Sequence, residues 1–250
     1  MKKSRILSAI AGCMLMTGLT TTADAQTRVS KIQFNDDVST FTYNASGTLT
    51  GAVRKEGQST YKYNYSVSGT KVVQTTEFFM GSYGGDKTTR TYTLFPGQQK
   101  MTQVESDGKT YVMDKSGYYL DGKVRENYTW KGDNLTKVSQ YGANGWWQET
   151  RFKYNGWGYK PCTYTVNWID FILAYYDLGE FDWEWWQCAF WPFSEFPTKI
   201  EVTKSSKKNF TLVLDYYPMS VGGKSGFKVE IKTDVDGKMT SRDTALVYFD

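Results

Sequence analysis

The stretch "STYKYNYSV" (59–67) places Tyr61, Tyr63, Tyr65 and Val67 on alternate positions, with Lys62, Asn64 and Ser66 between them. A period of two is the period of a β-strand, whose successive side chains point to opposite faces. The stretch therefore reads as a half-buried strand with one ring-bearing face and one polar face. The same character recurs in "TRTYTLF" (89–95), "RENYTW" (125–130), "WWQETRFKY" (146–154), "KIEVT" (199–203), "FTLVLDYY" (210–217), "FKVEIKT" (227–233) and "TALVYF" (244–249). Thr, Tyr, Val and Phe dominate these segments, as pleated half-buried surfaces favour.

Glycine turns join them. Asp107-Gly108-Lys109, Asp121-Gly122-Lys123 and Asp236-Gly237-Lys238 repeat one tripeptide, and Ser46-Gly47-Thr48 and Ser68-Gly69-Thr70 are looser versions. Asp-Gly supplies the positive φ angles of a tight hairpin turn. Strand, turn and strand in steady succession predict an all-β, long antiparallel up-and-down meander, with sequence neighbours also neighbours in the sheet. Twist accumulates across many strands, so such a sheet curls into a barrel or half-barrel, or splits into two packed layers; curling is the expectation.

One region breaks the rhythm. "VNWIDFILAYYDLG" (166–179) spaces Trp168, Phe171, Ile172, Tyr175 and Leu178 as one face of a short helix, with Asn167 as N-cap and Gly179 as stop. The next segment, "EFDWEWWQCAFWPFSEF" (180–196), holds four tryptophans, four phenylalanines and four acids, with no Lys or Arg. Residues 161–198 therefore read as an acidic, Trp-rich insertion with one short helix, set into a single β-meander domain spanning 26–250.

The first 25 residues are set aside from the fold. Lys2, Lys3 and Arg5 precede an apolar run from Ile6 to Leu19, and Ala23-Asp24-Ala25 offers a small-x-small cleavage site, the anatomy of a signal peptide. Export to the periplasm or cell surface follows, with cleavage after Ala25. The alternative is a lipid anchor at Cys13, in the lipobox-like Ile10-Ala11-Gly12-Cys13. Residues 26–250 carry a net charge of only +2 and no basic recognition motif, so nucleic acid is not an expected partner.

Cys162 and Cys188 flank the insertion's core. A bridge between them would close a loop of about 25 residues and stabilise by roughly 3 kcal/mol in the chain-entropy model. The alternative is two buried thiols. The chain contains no histidine, which removes Ser-His-Asp and Cys-His catalysis and His-ligated metal sites. No cofactor or metal is called for.

Candidate binding aromatics are Trp183, Trp185, Trp186 and Trp191 of the insertion, with Trp146, Trp147 and Trp157 before it. On a strand, Phe181, Trp183 and Trp185 would share one face, a row on which sugar rings can stack, with Asp182 and Glu184 opposite. The competing reading makes Trp183, Trp185, Phe190, Trp191 and Phe193 a plug in the mouth of the curled sheet, each ring burying about 150–250 Å². Asp182 with Glu184, or Asp170 with Asp177, could be cast as the acid pair of a glycoside hydrolase, but acids side by side on one strand do not bracket a substrate. "DVDGK" (234–238) starts like a calcium loop, yet the twelfth position is Ala245 where a bidentate Glu belongs, so it is a hairpin turn. "KSSKK" (204–208) reads as a solvated loop. A membrane barrel needs an apolar outward face, and the polar faces with Lys62 and Asn64, or Glu149, Arg151 and Lys153, argue against an integral membrane protein.

The repeated Tyr and Asp-Gly-Lys hairpins, the interruption "WIDFILAYYDLGEFDW" (168–183), the return "FPTKIEV" (196–202) and the closing "VEIKTDVDGKMTS" (229–241) together resemble a bacterial secreted family. It is a cell-envelope domain of unknown function with a porin-like β fold, and its hairpins are similar to YD repeats. The resemblance spans roughly residues 28–250, and the dense Trp cluster and the two cysteines depart from it. It implies a curled antiparallel meander with a helical insertion, and it brings no catalytic residues. The expected function is a non-enzymatic binding module of a Gram-negative envelope, for a glycan, peptide or surface partner. A carboxylate-based hydrolase and a structural partner of an outer-membrane assembly are the alternatives.

Overall fold

The alternation is realised throughout the described strands. A computed structural model describes residues 28–94, 100–106, 109–142, 145–158, 194–205 and 209–250. Among them run sixteen strands. The first eight are β1 (Val29–Phe34), β2 (Asp37–Tyr43), β3 (Leu49–Glu56), β4 (Ser59–Ser68), β5 (Lys71–Met80), β6 (Tyr83–Leu94), β7 (Lys100–Ser106) and β8 (Lys109–Asp114). The second eight are β9 (Gly117–Leu120), β10 (Lys123–Lys131), β11 (Asn134–Tyr141), β12 (Trp147–Lys153), β13 (Lys199–Lys204), β14 (Phe210–Val221), β15 (Lys224–Val235) and β16 (Lys238–Phe249).

Each strand pairs antiparallel with the one before it and the one after it, the meander expected from the turns. The ends also meet. β1 pairs with β2 on one side and with β16 on the other, Val29 lying opposite Phe249 and Phe34 opposite Ala245, so the sheet closes into a barrel. Closure removes the two unpaired edges that an open meander would present.

The turns are built as their residues require. Asp121 and Gly122 sit at φ 49° and 74°, and Asp236 and Gly237 at 51° and 82°, the left-handed pair of a two-residue hairpin. The Asp236 turn is tightened by the Gly237 amide donating to Asp234 Oδ1 at 2.7 Å. It is the hairpin turn expected in place of a calcium loop.

Strand alternation sorts the side chains to the two faces. Phe41, Tyr63, Tyr65, Val72, Tyr92, Met113, Tyr118, Val138, Phe152, Ile200, Leu214, Phe227 and Val247 point inward and are buried. Lys62, Asn64 and Ser66, between the buried tyrosines of β4, are exposed on the outside. The Tyr rows thus line the interior, and the charged rows face out.

One end of the barrel holds the first and last described residues, where the Asp250 amide donates to the Arg28 carbonyl at 3.0 Å; this is the terminal end. The connection from β12 to β13, which carries the insertion, leaves and returns at that same end. The Thr198 amide donates to the Lys153 carbonyl at 2.8 Å, so the two stems touch. The opposite, distal end carries the hairpins β5–β6, β9–β10, β11–β12 and β15–β16. The helix expected over 166–179, the disulfide pair Cys162 and Cys188, and Trp183, Trp185, Trp186 and Trp191 lie outside the described residues.

The last residues of the aromatic segment are described. Phe196 is buried against the inner wall, its ring 5.4 Å from Tyr216 and 5.7 Å from Phe227, and Phe227 lies 5.8 Å from Phe249. Tyr216 Oη donates to the Pro197 carbonyl at 2.9 Å. Asn134, at the start of β11, fixes the approach: Ser194 Oγ donates to its Oδ1 at 2.8 Å and its Nδ2 donates to Glu195 Oε1 at 3.2 Å. The returning stem is therefore core material at the terminal end.

Candidate functional site

Three of the seven candidate tryptophans fall on described residues, and the structure does not bring all three together. Trp146 and Trp147 lie at the distal end, in the β11–β12 hairpin, whereas Trp157 follows β12 at the terminal end. The six steps from Trp147 to Lys153 alone span about 20 Å of extended chain. All three precede the insertion, as the sequence has them, on or beside the hairpin that leads into it, but only Trp157 stands at the end where the insertion leaves. Its side chain is 87% exposed.

The distal hairpin builds a distinct feature. Tyr141, the last residue of β11, is directly opposite Trp147, the first of β12. Their neighbours Gln140 and Gln148 are buried inside, so alternation turns Tyr141 and Trp147 outward, where they are 46% and 41% exposed. Directly opposed residues on one face have their Cβ atoms about 4.5–5.5 Å apart, so the two side chains start from adjacent points on the outer face.

The tip is held at several points. The Gly142 amide donates to the Trp146 carbonyl at 2.9 Å, and the Trp146 ring lies over Gly142, where an added Cβ would meet it at 2.7 Å. On the other side Trp147 and Ser205 exchange two bonds, the Trp147 amide to Ser205 Oγ and the Ser205 amide to the Trp147 carbonyl, each 3.0 Å. Trp147 is thereby placed on a braced strand end rather than a free loop.

Beneath the tip runs a buried polar row. Glu126, Gln140 and Gln148 are successive inward neighbours across β10, β11 and β12. Gln148 Nε2 donates to Gln140 Oε1 at 2.6 Å, and Gln140 Nε2 donates to Glu126 Oε1 at 2.9 Å. Tyr128 Oη donates to Glu126 Oε2 at 2.8 Å. A buried carboxylate is costly unless hydrogen-bonded, and here both oxygens accept. A similar buried chain runs from Tyr92 Oη on β6, which donates to Gln74 Oε1 on β5, to Gln74 Nε2, which donates to Thr76 Oγ1 along the same strand. These rows fix the register and the inner surface.

The outer faces carry the remaining chemistry. On β11–β13, Glu149 pairs with Lys137 and Arg151, and Glu201 pairs with Lys153 and Lys199. On β14–β16, Asp215 pairs with Lys232, and Glu230 with Lys228 and Arg242. Hydrogen bonds from Lys153 and then Lys199 hold the Glu201 carboxyl below the usual glutamate range, and Lys228 does the same for Glu230. Among the described residues no group of three or more acids or cysteines is arranged to hold a metal ion. No helix among them is long and apolar enough to cross a membrane.

Sequence reasoning missed Tyr141. The signal was available: "KVSQYGANGWWQET" (137–150) puts Tyr141 and Trp147 in the same outward phase on either side of the turn.

No protein-family model and no curated protein matches the chain. Among solved structures it is similar to that of a porin-like protein from Bacteroides uniformis, at 16% identity with a TM-score of 0.43, over 89% of this chain and 98% of that one. The fold assignment rests on the strand pairing itself.

Proposed function

We propose that this protein is a non-enzymatic, exported envelope protein that binds a glycan through the aromatic tip of the β11–β12 hairpin. The observation that carries the reading is the Tyr141–Trp147 pair: two large rings, opposite each other in register, outward and half exposed on a braced tip. An exposed Trp or Tyr ring stacks on the apolar face of a pyranose, and both residues lose little conformational freedom in doing so.

Several features support the wider reading. The signal-like first 25 residues favour export, and the termini at the terminal end leave the tip facing away from any leader or lipid at Cys13. Ion-paired rows in mid-strand oppose a lipid-facing belt, since Lys or Arg at the midplane costs about 2–4 kcal/mol each. The engaged state of Glu126 and the pairing of the outer carboxylates oppose an acid–base role for those groups.

Tryptophan emission of the purified chain, titrated with a panel of neutral and amino-sugar oligosaccharides, tests the reading. At least one glycan should shift emission and protect against a soluble quencher. The response should disappear in Trp147→Ala, weaken in Tyr141→Ala, and persist in Trp157→Ala. No response to any glycan, or a response untouched by Trp147→Ala, overturns it; capture of an envelope protein or peptide through the same tip would replace the glycan as ligand.

A further inference from the structure

The outer face of β2–β6 is unlike the ion-paired face across the barrel. The pairing registers lay its outward residues in rows. Thr40, Val53, Lys62, Glu77 and Lys87 form one row. Thr42, Gly51, Asn64, Thr75 and Thr89 form the next. Ser66, Val73 and Thr91, and then Ser68, Lys71 and Thr93, complete it towards the terminal end. Strands stand about 4.8 Å apart and same-face residues nearly 7 Å apart, so the rows make a regular lattice of hydroxyl and amide groups.

Its charge is one-sided. The outward residues of β2–β6 include Lys55, Lys62, Lys71 and Lys87, against Glu77 alone. Glu77 is taken by Lys87 at 2.8 Å. Lys55, Lys62 and Lys71 make no ion pair among the described residues. Lys62 rests its ammonium over the Phe79 ring at 4.7 Å and lies opposite Glu77, which it attracts from a distance while Lys87 holds the hydrogen bond, so one carboxylate serves two lysines. On β11–β16, by contrast, Glu149, Glu201, Asp215 and Glu230 each have a cation within 4 Å.

We propose that the outer face of β2–β6 is a docking surface for an acidic polysaccharide. The surplus lysines supply attraction for repeated carboxylates, and Thr and Ser hydroxyls, which both donate and accept, match sugar hydroxyls. Centrally the face offers Val73 as its one exposed large apolar residue, too little for the apolar core of a stable protein interface. Its rings stand at the distal margin, Tyr83 exposed at the start of β6 and Phe79 covered by Lys62, so the rows offer no run of rings to stack successive bases, and its cations are lysines rather than the bidentate arginines that read phosphates. A long, repetitive, hydroxylated polyanion fits rows that are themselves long and repetitive. This surface lies apart from the Tyr141–Trp147 tip and does not depend on that tip binding a glycan.

The test immobilises alginate, a polyuronate, beside neutral dextran and measures binding of the full chain at low and moderate salt. The chain should bind alginate, release with added salt, and ignore dextran. Lys55→Gln/Lys62→Gln/Lys71→Gln should weaken alginate binding by about tenfold or more. Lys199→Gln/Lys228→Gln/Lys232→Gln on the opposite face, and Trp147→Ala at the tip, should leave it within about twofold of the wild type. Lys55→Arg/Lys62→Arg/Lys71→Arg should retain binding, which separates charge from a folding defect. Failure to bind alginate, equal binding to dextran, equal loss from the opposite-face triple, or a DNA duplex competing as well as alginate at matched charge would each overturn the proposal.

Discussion

The wall built by β2–β6 and the wall built by β11–β16 have the same inner face and different outer faces. Inside, both set rings and branched side chains in alternate positions: Phe41, Ala52, Tyr63 and Tyr92 on one, Phe152, Ile200, Leu214 and Phe227 on the other. Outside, one wall is a hydroxyl lattice with unpaired lysines, and the other is laced with ion pairs. Folding constrains the inner phase of each strand, because a one-residue slip would turn the whole apolar set to solvent. The outer phase is free of that constraint. Differences confined to it are where binding specificity is to be sought.

If the inner faces are equivalent, matched cavities should have matched costs, and these are the largest effects expected. Phe41→Ala on β2 and Phe227→Ala on β15 should each destabilise by about 3–5 kcal/mol in urea unfolding. Both changes should act on a single cooperative transition, since the closed sheet links the walls through β1 and β16. Two transitions, with one substitution moving only one of them, would break the picture of one barrel with two outer chemistries.

The polar row across β10, β11 and β12 ranks next. Glu126→Ala removes the acceptor of Tyr128 Oη and Gln140 Nε2 and leaves two donors buried without it. The expected loss is about 1–3 kcal/mol, with Glu126→Gln costing less because one acceptor oxygen remains. Equal stability of Glu126→Ala and wild type would show that the row is solvated in solution.

On the outside the effects shrink and the walls should separate. Glu201→Gln removes the partner of both Lys153 and Lys199 and should cost under about 1 kcal/mol, falling further in high salt. Lys62→Gln or Lys71→Gln should change stability by no more than about 0.5 kcal/mol in either direction. A large cost at Lys62 would reassign that wall from binding to structure.

Much of this architecture is legible in the sequence because its signals are local. The Tyr61, Tyr63, Tyr65 alternation and the Asp121-Gly122 and Asp236-Gly237 turns each fix a strand or hairpin within ten residues, and the structure keeps them. Closure is not legible. It depends on β1 meeting β16 across more than two hundred residues, and nothing in "VSKIQF" or "TALVYF" names the other as partner. The aromatic site was half legible. Trp146 and Trp147 stood out by composition, but composition cannot tell that Trp157, one strand further on, belongs to the opposite end. Tyr141 was overlooked because a tyrosine among nineteen draws no notice until register places it beside Trp147. The lysine-rich wall was invisible for a similar reason: its surplus charge appears only when four separate strands are laid side by side.

The smallest effect expected reads the pairing of carboxylates on both walls through pH. Lys87 hydrogen-bonds and attracts Glu77 on the β2–β6 wall, and Lys153 with Lys199, and Lys228, do so for Glu201 and Glu230 on the other; all three carboxyls are held below the usual glutamate range. A carboxyl depressed in the folded state contributes its stability at neutral pH. That contribution is lost as pH falls through the ordinary glutamate range towards the lower folded-state value. Side-chain carboxyl resonances, followed by NMR against pH, should therefore titrate late for these three glutamates. Lys87→Gln should raise Glu77 towards the ordinary range, with Lys62 keeping part of the depression, and leave Glu201 and Glu230 where they were; high salt should narrow the difference for all three. Because Glu201 and Glu230 lie on β13 and β15, outside the β2–β6 wall, alginate at low salt should leave the titration of those two in place. A shift of those two on alginate binding would move the docking surface to the wrong side of the barrel.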